Sequence, residues 1–374
     1  MKVVIAIDSF KGSLTSIEAG EAAREGILQV HPDWQTDLIP IADGGEGMLS
    51  VMLNATQGNT QTVWAHNPCM ELTPAEYGIS ADGTTAFIEM AAISGLPLIK
   101  EEQRNPMKTT TYGTGELIRD ALEKGCTRFI VGIGGSATND AGTGMLQALG
   151  FQFLDAVGNT LGQGGEILGK VVHICTQKVH PLLKNAHFIV ACDVNNPFHG
   201  SEGAAHTYAR QKGADDTMIT ALDEGMRSFA QVIHQETGKD IATLPGSGAA
   251  GGIGGGMMAF LNAELKPGAD LLLDLCHFDE RIADADLIIT GEGRIDRQSL
   301  MGKVPGKILE KGKELGIPVV ALAGCTEDEE WLKKGGFFGI YTITPKDMPI
   351  EEAMKKEVAI RNVKETMFLA LNVS

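Results

Sequence analysis

Five stretches of this chain set side chains that handle anions, protons and divalent cations beside glycines. The first is Asp8-Ser9-Phe10-Lys11-Gly12-Ser13, which ends an apolar run at residues 2–7. A lysine there can neutralise a phosphate, and Asp8 and Ser9 can bind a polar substrate. The second is Ala42-Asp43-Gly44-Gly45-Glu46-Gly47. Two carboxylates among glycines suit Mg²⁺, which takes oxygen ligands and keeps part of its water shell. The same residues read equally as a capping box, with Asp43 at the N-cap and Glu46 at N3. The third is Gly134-Gly135-Ser136-Ala137-Thr138-Asn139-Asp140, between the apolar run 129–131 and a helical pattern ending at Gly150. Strand, glycine loop and helix together let backbone N–H groups face a phosphate or carboxylate.

The fourth is Gly248-Ala249-Ala250-Gly251-Gly252, in the most glycine-dense segment of the chain. Its flanks form helix, so close backbone approach to a ligand or another helix is expected, not a linker. The fifth runs from Gly291 through Glu292, Arg294, Asp296, Arg297, Gln298 and Ser299 to Gly302-Lys303. This mixture of acids, bases and an amide is expected in one loop after a strand at 286–290. Asp193 stands apart, at the end of the apolar run 186–192 and shortly before Pro197. A carboxylate there can be a catalytic base or a metal ligand, or can close an ordinary Asx turn.

A rival pattern overlaps the third stretch. Gly132, Gly134 and Ala137, with Asp155 further on, fit the loose dinucleotide fingerprint and would imply an NAD-dependent dehydrogenase of a small hydroxy acid. The polar turn Ser136–Asp140 argues against the tight first helical turn of that motif. The nine histidines show no metal-ligand spacing, and no Walker-type or protein-kinase motif is present.

These stretches need strands and helices to hold them. Apolar runs at 2–7, 37–42, 129–131, 186–192, 286–290, 318–323 and 338–343 read as strands. Helices are expected at 17–30, 48–55, 116–124, 201–212, 216–237, 303–315 and 349–371. That alternation predicts parallel sheet. Short alternating runs at 62–65, 76–79 and 85–89 read as a hairpin or meander, where a second domain would begin. With 374 residues, 43% hydrophobic content and 47 glycines, an α/β protein of at least two domains is expected. A net charge of −17 argues against nucleic acid and anionic membrane as partners. Six cysteines without a Cys-x-x-Cys pair read as reduced core thiols. With no leader or spanning segment in the sequence, a cytoplasmic protein is expected.

Taken in order, the five motifs resemble those of the type 1 glycerate kinase family over nearly the whole chain. Each is weak alone and the ordered set is specific. Ile7 stands where such proteins often carry Pro. The resemblance implies two α/β domains, one a Rossmann-like parallel sheet and the other a larger α/β domain inserted into it, with the active site in the cleft between them. Boundaries of 1–62 with 285–374, and 63–284, are expected. It implies ATP-dependent phosphorylation of D-glycerate, usually to 2-phosphoglycerate, with Mg²⁺, and leaves room for a homodimer. On that basis Lys11, Asp193 and Asp296 are catalytic candidates. Gly134, Gly135, Ser136, Thr138, Gly248, Gly251, Gly252 and Lys303 are candidates for ATP. Asp8, Ser9, Arg294 and Gln298 are candidates for glycerate, and Asp43, Glu46 and Glu292 for the metal.

Overall fold

The computed structural model describes residues 1–42, 47–300 and 302–372, with Gln298 described by its backbone alone. Asp43 and Glu46, and the side chain of Gln298, therefore lie outside the described residues. The chain divides into two compact units, Met1–Ala55 with Gly268–Ser374, and Thr56–Pro267. The first holds β1 (Lys2–Ile7) and β2 (Gln35–Leu38). The second holds β3 (Asn59–His66), β4 (Leu72–Ile79), β5 (Thr85–Glu89), β6 (Arg128–Gly132), β7 (Gln152–Leu154), β8 (His173–Cys175), β9 (His187–Ala191) and β10 (Glu264–Lys266). The chain then returns to the first unit for β11 (Leu287–Ile295), β12 (Val319–Thr326) and β13 (Gly339–Thr342).

The first unit is a five-stranded parallel sheet in the order β13-β12-β11-β1-β2. Its central strands β1, β11 and β12 carry buried apolar runs on both faces, as a sheet covered by helices on each side must. Val3, Ile5, Ile7, Ile289 and Leu322 pack with Ala19, Ala23 and Ile27 of the helix Ser16–Val30, and with Val363 and Met367 of the helix Lys356–Asn372. The two helices meet closely at Gly26, where a Cβ would come within 2.6 Å of the Lys364 carbonyl.

The second unit has a six-stranded sheet in the order β10-β9-β6-β5-β4-β3. Neighbours from β5 to β10 are parallel, whereas β3, β4 and β5 form the antiparallel meander read from the alternating runs. Phe129 and Phe188 stack across β6 and β9 with ring centroids 4.7 Å apart, inside the unit's main core. Among the described residues no helix is long and apolar enough to cross a membrane.

Several expectations differ: the strand expected at 37–42 spans Gln35–Leu38, and the helix expected at 201–212 is the shorter Ala204–Tyr208 followed by a 3₁₀ turn. The strand at 286–290 continues to Ile295, because β12 offers a partner: Glu292 pairs with Ala323 and Arg294 with Cys325. Glu292 and Arg294 are thus strand residues, not loop residues. The final helix is broken into Ile350–Ala353 and Lys356–Asn372, and Ile350, Ala353 and Met354 turn onto a cavity wall. All six cysteines are free, but only Cys126 and Cys276 are buried; Cys69 and Cys325 are exposed, the latter near the end of β12.

Candidate functional site

In the first unit the site follows from strand register. Ile7 of β1 lies opposite Gly291 of β11, so Asp8, the first residue past β1, lies beside Glu292 at the carboxyl edge of β1, where β11 runs on along β12. Open α/β sheets take their ligands at that edge. The Asp8 amide donates to the Gly291 carbonyl at 2.9 Å, and its carboxylate accepts from the Ser9 amide at 2.6 Å. The chain then folds into a tight turn in which Leu14 and Phe10 bond, with Gly12 at φ +76°. The next helix starts with a complete capping box between Thr15 and Glu18.

Asp8 and Glu292 are both buried, at 2% and 7% exposure. Glu292 accepts a short hydrogen bond from the Ser299 hydroxyl. Its other oxygen, Oε2, lies 3.8 Å from Nζ of Lys303, the N-cap residue of the helix Val304–Leu315. Ser299 Oγ also accepts from the Asp296 amide at 3.1 Å. Arg294 donates to Glu327 Oε2 at 2.6 Å, and its Nε is 3.7 Å from an oxygen of Asp296. Glu327 holds the Arg294 guanidinium above its ordinary pKa by that bond.

Asp8, Ser9, Lys11, Glu292, Arg294 and Lys303 line one cavity of about 330 Å³, to which Phe10, Ile343, Ile350 and Met354 add apolar lining. Six residues singled out from two distant parts of the sequence are therefore brought together. A neighbouring cavity of about 320 Å³ shares Asp8, Ser9 and Lys11, and adds Ser16, Ala42 and Ser50. Three cationic and two anionic groups around one cavity can receive an anion and a cation together. Mg²⁺ in phosphoryl-transfer sites takes one or two carboxylates plus phosphates and water. Asp8 and Glu292 on one cavity wall fit that donor set, although no cluster of three or more metal-ligating side chains occurs among the described residues.

In the second unit the loop after β6 has an exposed tip at Gly134 and Gly135 and a buried stem from Ser136 to Asp140. The Asp140 carboxylate gathers donors from the Thr111 amide and hydroxyl, each at 2.8 Å, and from the amides of Gly142 and Gly144 at 3.1 and 3.2 Å. Burial nevertheless pushes its carboxyl up, against the pull of those bonds. The glycine-dense segment forms the helix Ala249–Leu261, interrupted by left-handed backbone at Ala250, Gly251 and Gly252. Gly248, Gly251 and Gly252 are buried. A Cβ on Gly251 would lie 2.1 Å from the Thr138 carbonyl, and one on Gly248 2.1 Å from the Pro197 carbonyl. The two glycine stretches thus pack on each other, with the Ala141 amide donating to the Gly251 carbonyl at 3.0 Å. Asp193 is exposed just beyond the end of β9.

Sequence reasoning missed Lys212. It is 1% exposed, and its ammonium donates to Ser136 Oγ and to the Thr138 carbonyl, both at 2.6 Å. Burial drives its pKa down to about 7, while the charge of Asp140 opposes the shift. In Arg210-Gln211-Lys212-Gly213 it reads as an ordinary charged helix end, and no local signal marks it as buried. Asp155, the acid of the dinucleotide pattern, accepts from the amides of Val157 and Asn159 at 3.0 and 2.9 Å in a turn after β7.

The sequence model of the glycerate kinase family matches residues 3–371. A glycerate kinase of Halalkalibacterium halodurans is 45% identical over 367 residues, covering 96% of this chain and 97% of its own length. A glycerate 2-kinase of Escherichia coli is 44% identical, covering 99% of both chains. A crystal structure named for a glycerate kinase 2 of Salmonella typhimurium LT2 superposes with a TM-score of 0.91 at 42% identity, covering 100% of this chain and 98% of that one.

Proposed function

This chain belongs to the glycerate kinase family, and we propose that it transfers the γ-phosphoryl group of ATP to the 2-hydroxyl of D-glycerate, giving 2-phosphoglycerate and ADP. The observation that carries this reading is the cavity at the carboxyl edge of β1 and β11, where Lys11, Arg294 and Lys303 face Asp8 and Glu292. Phosphoryl transfer needs charge neutralisation and alignment more than covalent help from the protein, and this cavity supplies the charges.

The glycerate hydroxyl oxygen bonds to the γ-phosphorus as the bond from that phosphorus to the β,γ-bridging oxygen breaks, and ADP leaves with the electron pair. The hydroxyl proton passes to the Asp193 carboxylate. Lys11 and Lys303 offset the charge on the transferring group. Arg294 pairs with the glycerate carboxylate, while Asp8 and Ser9 hold its hydroxyls. The exposed amides of Gly134 and Gly135 take a phosphate of the nucleotide. Asp8, Asp43, Glu46, Glu292 and Asp296 are the carboxylates from which a Mg²⁺ would be held. When bound, that ion neutralises phosphate oxygens.

The test is a coupled ADP-release assay with D-glycerate, ATP and Mg²⁺, with the product identified by ³¹P NMR. Formation of 2-phosphoglycerate is expected. Exclusive formation of the 3-phosphate would refute the regiochemistry, and absence of D-glycerate-dependent ADP release would refute the activity.

A further inference from the structure

We propose that Lys212 is a positioning residue for ATP: from behind, it holds the loop 134–138 in the form that presents its amides to a phosphate. This rests on the reading that the loop takes a phosphate of the nucleotide.

A loop grips an anion well when its carbonyls point away from the anion and its N–H groups point toward it. Three carbonyls of this loop are turned into the protein, each by a separate donor. The Leu96 amide holds that of Gly135 at 3.0 Å, and the Thr109 hydroxyl holds that of Ala137 at 2.8 Å. Lys212 holds that of Thr138 at 2.6 Å, and the same ammonium fixes the Ser136 hydroxyl. Among the described residues, Lys212 is the one side chain that ties two residues of the loop, and it does so with a positive charge.

An ammonium is an expensive tether, because removing it from water costs several kcal/mol unless its partners compensate. Its hydrogen-bond partners here are a neutral hydroxyl and a carbonyl, and burial weakens the proton's hold further than the nearby Asp140 charge restores it. A hydrogen bond needed for shape alone is made more cheaply by an amide or a hydroxyl. The placement is explained by an anion on the outer face of the loop, toward which a buried cation on the inner face adds attraction at short range and low dielectric. A second observation points the same way. Thr138 Oγ1 and Asn139 Oδ1, next to the tether, are buried and have no hydrogen-bond partner among the described residues. Native structures rarely leave such groups orphaned outside a working site.

Two variants separate this proposal from the reading beneath it. Gly134→Val tests the loop, since a Cβ at Gly134 meets nothing within 4 Å and the variant is expected to fold. Lys212→Met tests the tether. With folding checked by circular dichroism, Lys212→Met is expected to raise KM for ATP and Kd for ADP about tenfold or more, leaving KM for glycerate within about twofold. A folded Lys212→Met enzyme with unchanged KM for ATP, or with both KM values raised together, overturns the proposal. Where Lys212→Met fails to fold, Ser136→Ala decides: an ATP-specific rise in KM supports the tether, and no change overturns it. If Gly134→Val leaves ADP binding untouched, the reading of the loop falls and the proposal falls with it. If Gly134→Val weakens ADP binding and Lys212→Met does not, the reading stands and only the proposal fails.

Discussion

Nζ of Lys303 lies 3.8 Å from Oε2 of Glu292, linking the start of the helix Val304–Leu315 to the buried side of β11. The Ser299 hydroxyl holds the other oxygen of the same carboxylate. The acid is thus oriented from two sides, while the lysine is 39% exposed and can reach an incoming anion. Lys303→Ala is predicted to lower kcat/KM for ATP by about 10–100-fold while changing stability by no more than about 1 kcal/mol, because the partly exposed lysine sits 3.8 Å from a carboxylate that the Ser299 hydroxyl still holds. Steady-state kinetics beside a urea melt checks both halves. Wild-type kcat/KM in the variant would remove Lys303 from the site.

Asp193→Asn should leave the fold intact, since the side chain is exposed beyond β9. Loss of a general base costs about 10²–10⁴-fold in rate. The drop is expected in kcat, with KM for ATP nearly unchanged. A variant turning over at the wild-type rate would exclude Asp193 as the base.

Arg294 already has a partner, Glu327, at 2.6 Å. If it binds the glycerate carboxylate, the two acids share one guanidinium. Arg294→Ala should then raise KM for glycerate by about tenfold or more, as loss of a charge-assisted bond does. Glu327→Gln should lower or leave that KM. An unchanged glycerate KM in Arg294→Ala contradicts the assignment.

Two glycines should respond oppositely to alanine. Gly251 has φ +76°, and an added Cβ would meet the Thr138 carbonyl at 2.1 Å. Gly251→Ala is predicted to destabilise by on the order of 3 kcal/mol, from strain and overpacking together. Gly134→Ala faces open space and should change stability by less than about 0.5 kcal/mol. Equal melting temperatures for the two variants would be incompatible with this packing.

Burial lowers the Lys212 pKa to about 7 from its ordinary value of 10.5. Between those values the unfolded chain binds more protons than the folded one, so this group makes stability rise with pH from about 7 upward. Asp140, whose pKa burial raises, contributes the opposite slope between its unfolded and folded values. Thermal melts from pH 7 to 9 should show a smaller upward slope in Lys212→Met than in wild type. Parallel curves would mean that Lys212 titrates normally.

Strands and helices whose signals are local can be read straight from the amino-acid order. The apolar run Lys2–Ile7 and the helix Asp216–Thr237 were legible because apolar runs, helical periodicity and caps are written within a few residues. The family was legible too, because five short motifs in fixed order are far more specific than any one of them. Other features depend on segments that meet only in the folded chain. Glu292 and Arg294 are on a strand because β12, some thirty residues later in the chain, supplies the ladder. Asp8 and Glu292 share an edge because β1 and β11, nearly three hundred residues apart, pair in one register. Lys212 became part of the loop at Ser136 only when folding removed it from water, since a lysine's burial depends on what packs over it and leaves no mark on its neighbours in sequence.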